Sequence, residues 1–174
     1  MKSLISLLVI LILSAAIAVG QTTSEEAKEL QKPKDCGISQ YDDFKNSSFG
    51  LLSELLKTDT NYEGLKMDIA GYKSGDKEIT LDAVKGDISK FKKLKSSLES
   101  MDERVVALSD DGKGLLEDAK NVKPVTKMKA ATNNTKKSIK AVDLSKAMIG
   151  ELTSQVSSDL EYLTEQLTDL ENDE

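Results

Sequence analysis

From Phe44 onward, apolar side chains recur at alternating steps of four and three residues. That repeat places one greasy stripe along a helix and calls for partner helices to cover it. The first such seam is Phe44, Ser48, Leu51, Leu55, Thr58, Tyr62, Leu65, Ile69 and Tyr72, of which seven are apolar or aromatic. This is enough to prefer helix over strand. Gly50 and Gly64 weaken this helix, each by about 0.8–1.0 kcal/mol relative to alanine. Gly71 reads as its terminator, and Lys73-Ser74-Gly75-Asp76-Lys77 as a loop.

A second seam is stronger: Leu81, Val84, Ile88, Phe91, Leu94, Leu98, Met101, Val105, Leu108, Gly112, Leu115, Ala119 and Val122. Thr80 before it is the expected N-cap, with Asp82 in the first turn. Asp110-Asp111-Gly112-Lys113-Gly114 predicts a kink or an interruption. After a turn over 121–124, with Pro124 suited to the first helical position, a third seam begins. It runs Val125, Met128, Thr132, Thr135, Ile139, Val142, Lys146, Ile149, Thr153, Val156, Leu160, Leu163, Leu167 and Leu170, weak at first and strong later. Leu144, Ala147 and Leu152 widen its apolar face in the middle. The expected fold is therefore all-α: an elongated, antiparallel, coiled-coil-like three-helix bundle with helices at about 39–72, 80–121 and 125–170.

The start of the chain is of another kind. Lys2, the apolar run Leu4–Leu13 and the small residues Ala15, Ala16, Ala18 and Gly20 have the charge, core and exit of a signal peptide over residues 1–20. The run is too short for a membrane span, which takes about 20 residues. Residues 21–38, polar and carrying Pro33 and Gly37, read as a flexible leader that holds the single cysteine, Cys36. One cysteine cannot build a disulfide scaffold, and after secretion it becomes a candidate for an intermolecular disulfide and a homodimer.

Cleavage after residue 20 leaves 23 bases against 30 acids. This mildly acidic balance points away from nucleic acid as a partner. The charges are also segregated. Residues 119–142 hold seven lysines and no acid, and residues 151–174 hold eight acids and no base. A hairpin folded about 121–124 sets Lys136, Lys137, Lys140 and Lys146 opposite Glu99, Asp102, Glu103, Asp110 and Asp111. The same fold sets Glu151, Asp159 and Glu161 opposite Lys85, Lys90, Lys92 and Lys93. Complementary faces of one hairpin are the simpler account; a surface for anionic lipid, heparin-like sugar or nucleic acid is the competing one.

The chain contains no histidine, which removes Ser-His-Asp and Cys-His catalysis and histidine-based zinc sites. Gly112-Lys113-Gly114 lacks the ending and the strand of a phosphate loop. Asp59, Asn61, Glu63 and Gly64 imitate the start of a calcium loop, but Ala70 stands where a bidentate glutamate is required. No catalytic, cofactor or metal residue is expected. Two sequons mark candidate glycosylation sites, Asn46 and Asn133, both off the seams. The reading that results is a secreted, extracellular, non-catalytic helical-bundle glycoprotein acting through a protein partner or itself. The alternative is an exchangeable lipid or apolar-ligand carrier, whose helices usually show broader apolar faces than these seams.

Overall fold

The computed structural model describes residues 23–172. The signal-peptide reading of residues 1–20 lies outside them. The described chain is all helical, without a strand: a short segment, α1, over residues 23–29, then α2 (Ser39–Ser74), α3 (Leu81–Asp118) and α4 (Val125–Asn172). A three-residue 3-10 turn, Ala119–Asn121, closes α3, and the Lys123–Pro124 peptide is cis.

Local chemistry sets the boundaries. Ile38 at the α2 N-cap has no side chain able to cap, and Asp42 from the first turn takes over. Its two oxygens accept the N–H groups of Cys36 (2.8 Å) and Gly37 (2.9 Å). The helix passes the expected stop at Gly71 and ends at Ser74. Gly75, at φ 77°, is the left-handed residue that caps it. Thr80 caps α3 as expected, its hydroxyl accepting the Ala83 N–H. Pro124 stands one place outside α4, and its carbonyl accepts from Lys127 and Met128. The kink expected at Asp110–Gly114 is not there: α3 is continuous through both glycines.

Each long helix touches the other two. Phe44 meets Gly112, Glu54 pairs with Arg104, and Tyr72 bonds Asp87, so α3 runs antiparallel to α2. Asn134 bonds Asp42 and Asp159 bonds Tyr62, so α4 runs parallel to α2. Eight of the nine seam residues of α2 are buried, with Leu65 partly so. In α3, Val84, Ile88, Phe91, Leu98, Met101, Val105 and Gly112 are buried along the predicted row. The T-shaped Tyr62–Phe91 pair, with centroids 6.3 Å apart, lies where two seams meet. Burying one such large apolar side chain contributes roughly 1.5–3 kcal/mol.

The α4 register departs from expectation. Lys146 is exposed, as are Val125 and Ala147. The first half of the helix keeps Thr135 and Val142 of the expected row buried, with Leu144 beside them, and adds Ala131, Asn134, Ser138, Ala141 and Ser145. Its hydroxyls are satisfied within the helix, Thr135 bonding the Ala131 carbonyl, Ser138 that of Asn134 and Ser145 that of Ala141. These small groups enter the interior without an unpaired polar atom. At this end Ala131 packs with Tyr41 and Ala119 in a second apolar cluster, bordered by Cys36, Ile38, Leu115 and Val122.

The leader is a correction too. Far from lying free, residues 23–38 dock on the bundle, with Ala27 buried in the main core and Leu30 packed against it.

Candidate functional site

Three constellations bring chemistry-bearing side chains together. The first is a knot that ties the leader to α2 and α4. The Lys45 side chain is almost wholly buried and pairs with Asp35 of the leader and, at 3.5 Å, with Asp42. Asn134 of α4 donates from its amide both to the Lys34 carbonyl (3.0 Å) and to Asp42 (3.2 Å). Burial alone would raise the Asp42 carboxyl, but the Cys36 and Gly37 donors and the Lys45 charge hold it below the usual carboxylate range. Burial likewise works against a charged Lys45, and the bond and charge of Asp35, with Asp42, overcome it and raise the ammonium.

The second is a pair of buried phenol–carboxylate contacts. Tyr62 donates to Asp159 across 2.9 Å, joining α2 to α4. Tyr72 donates to Asp87 at 2.8 Å, joining α2 to α3. Both phenols are pushed upward, by burial first and by the adjacent carboxylate after it. Lys90, at 2.7 Å, and Tyr72 outweigh burial at Asp87 and hold its carboxyl down. Lys73 stands 3.7 Å from Asp159 and over the Tyr162 ring.

The third is a groove of about 360 Å³ where α1 begins, with walls from α1, α2 and α4. Glu25, Lys28, Asp59, Glu63, Lys66 and Glu151 line it, over an apolar floor of Met148 and Leu152. The chain itself already uses this wall: Ser24 donates to Asp59 at 2.8 Å and Thr23 to Glu151 at 3.1 Å. Such a surface holds polar chain by hydrogen bonds and offers an alternation of charges.

The sequence candidates fall apart from one another. Asn46 and Asn133 are exposed on α2 and α4, while the hydroxyl residues of their sequons, Ser48 and Thr135, are buried. Cys36 is half-buried at the edge of the second cluster, its thiol near the Ile38 carbonyl at 3.8 Å. Burial is the first cause that raises this thiol, with the Asp42 charge adding to it. Asp59, Asn61 and Glu63 lie along helix α2 rather than in a loop. Among the described residues no group of three or more acidic or sulfur ligands is placed to hold a metal ion.

The expected pairing of charge blocks across α3 and α4 is overturned. Gly112 lies against Ile139 and Lys85 pairs with Glu171, six to eleven residues further along α4 than a hairpin about 121–124 would set them. The shift arises because the first turns of α4 pack on the 3-10 turn and on Tyr41. Lys85–Glu171 is the one ion pair between α3 and α4 among the described residues. Lys140 goes to Glu26 of α1, and Asp159 to α2. What sequence reasoning missed is the docked leader and its knot. The available signal was Asp35, Asp42 and Lys45, whose spacing sets a base beside two acids at the start of a helix.

No helix among the described residues is long and apolar enough to cross a membrane. No protein-family model matches the chain, and searches of curated proteins and of solved structures find no match.

Proposed function

We propose that this chain is a secreted, extracellular, non-catalytic protein that acts through protein–protein interaction or self-association, its body an elongated three-helix bundle strapped by the leader. The observation that carries this reading is where the buried charges go. Lys45, Asp87 and Asp159 are each committed to internal partners that join one segment to another. The polar chemistry of the interior is thus spent on holding the rod together, and its long outer faces are what remain for partners. The signal-peptide pattern of residues 1–20 supports export. In an oxidising compartment the Cys36 thiol is then the candidate link between two copies, and Asn46 and Asn133 the candidate glycan sites.

Light scattering coupled to size exclusion tests self-association. Exported full-length product is expected to run as a covalent dimer that reductant converts to monomer. Monomer under both conditions contradicts the Cys36 link. On the same material, amidase treatment is expected to lower the mass; an unchanged mass removes the glycoprotein reading. The lipid-carrier alternative has less support, since the polar groove at α1 is bordered by six charged side chains.

A further inference from the structure

The lysine block of α4 has been left without the acidic partners that the hairpin would have given it. Lys123, Lys127, Lys129, Lys136 and Lys137 make no ion pair among the described residues, and all but the half-buried Lys137 are exposed. Lys129, Asn133, Lys136 and Lys140 stand four, three and four residues apart, so they form one row along the outer face of a straight helix; Lys140 is shared with Glu26, and the row is open to a ligand where Asn133 carries no glycan. At 1.5 Å per residue the row from Lys129 to Lys140 is about 16 Å long. The leader adds to it: the Lys34 carbonyl is bonded to Asn134, so exposed Lys34 lies against the inner border of this face. The same end of the bundle is acidic elsewhere, in the α2–α3 groove that holds Asp43, Asp110, Asp111 and Asp118. Exposed lysines also gather on α3 at Lys85, Lys92 and Lys93, but the α4 row belongs to the acid-free run over residues 119–142, and it concentrates a positive field there.

We infer that this face of α4 binds a linear sulfated polysaccharide. Lysines offer point charges without the planar fork that reads a base edge, and the block holds no arginine. Residues 92–161 contain no aromatic side chain, so no platform exists for stacking bases. A membrane surface asks for bulky apolar anchors beside the basic row, and the one large apolar side chain strongly exposed on α4 is Val125. A flexible chain with repeated sulfates matches a straight row of separate ammonium groups on all three counts. The inference does not depend on the Cys36 link.

The test is salt elution of the full chain from immobilised heparin. It is run beside a Lys129→Gln/Lys136→Gln/Lys137→Gln variant and a charge-matched control, Lys92→Gln/Lys93→Gln/Lys95→Gln. Circular dichroism of each establishes that it is folded. The expected result is retention of the wild type above physiological salt, loss of most of it in the α4 variant, and little change in the control. Flow-through of the wild type at physiological salt, or equal losses in both variants, overturns the inference. So do tighter salt-matched binding to duplex DNA, flotation on vesicles rich in phosphatidylserine without heparin retention, and salt-sensitive growth in mass of the protein alone without it.

Discussion

A β-carbon built on Gly112 would stand 2.9 Å from the Cζ atom of Phe44 and 3.0 Å from Ile139 Cγ1. This glycine, near the C-terminal end of α3, therefore sits where side chains of α2 and α4 leave no room for a methyl group, and it is there for packing rather than to bend the helix. Alanine at 112 gains about 0.8–1.0 kcal/mol of helix propensity and meets an overpacking cost of about 1–3 kcal/mol. Gly112→Ala is expected to lower stability by about 1 kcal/mol. Two residues on, nothing lies within 4 Å of the same position at Gly114, so Gly114→Ala is expected to gain roughly 0.4–1 kcal/mol. Urea unfolding of both variants checks the opposite signs.

Two buried tyrosines make a matched contrast. The Tyr62 hydroxyl satisfies Asp159, whereas the buried Tyr41 hydroxyl has no partner among the described residues. Removing the first takes away the hydrogen bond of a largely buried carboxylate and leaves it only Lys73, at 3.7 Å, at a cost of about 1–3 kcal/mol. Removing the second discards an unsatisfied group. Tyr62→Phe is expected to lower the melting temperature by several degrees, and Tyr41→Phe to leave it level or raise it. Thermal scans in which Tyr41→Phe loses as much as Tyr62→Phe would contradict the assignment.

Lys45 holds the leader more than it holds the bundle. Its partner Asp35 is 73% exposed and returns to water when the lysine goes. Asp42 keeps its two backbone donors, and methionine fills the same space. Lys45→Met is expected to change global stability by less than about 1 kcal/mol. Amide exchange at residues 35–37, by contrast, is expected to rise at least several-fold. Unchanged exchange there would show that the apolar contacts of Ala27 and Leu30 secure the leader by themselves.

Much of this architecture is legible from the pattern of apolar positions, because α2 and α3 bury conventional large side chains. Leu51, Leu55, Ile69, Phe91, Leu98 and Val105 are all on the predicted rows and all buried. The first half of α4 is only partly legible, for a physical reason. Val142 and Leu144 on its core face belong to the apolar pattern, but Ser138, Ser145 and alanines share that face, and hydroxyls bonded back to the preceding turn have no hydrophobic signature. The docked leader escaped for the converse reason: one buried alanine and a few polar contacts make no periodic pattern. Charge blocks misled because complementarity in sequence does not fix register, which Ala119, Ala131 and Tyr41 decide by packing. Of the candidate site residues, Asn46 and Asn133 could be placed on outward positions from the heptad alone, and both are exposed.

The pH dependence follows from the same contacts. Asp42 and Asp87 are held below their ordinary value of 3.8 in the fold. The stability they contribute is present above that value and lost as pH falls through their folded-state values. Tyr62, Tyr72 and Lys45 are raised above 10.0, 10.0 and 10.5. Their contribution is present below those values and lost as pH rises beyond them. With no histidine in the chain, nothing among these groups titrates in between. Stability is expected to be flat from about pH 5 to 8 and to fall on both sides, the raised Cys36 thiol joining the alkaline loss; a step near pH 6–7 in chemical-denaturation midpoints would contradict this.

α3 runs against α2 and α4 in one particular register. An isotope-edited nuclear Overhauser spectrum measures that directly. Cross-peaks are expected from the Phe91 ring to the Tyr62 ring, and from the Gly112 α-protons to both the Phe44 ring and the Ile139 side chain. Gly112 contacts displaced by a helical turn or more along α2 or α4, or no long-range contacts from these rings at all, would contradict it.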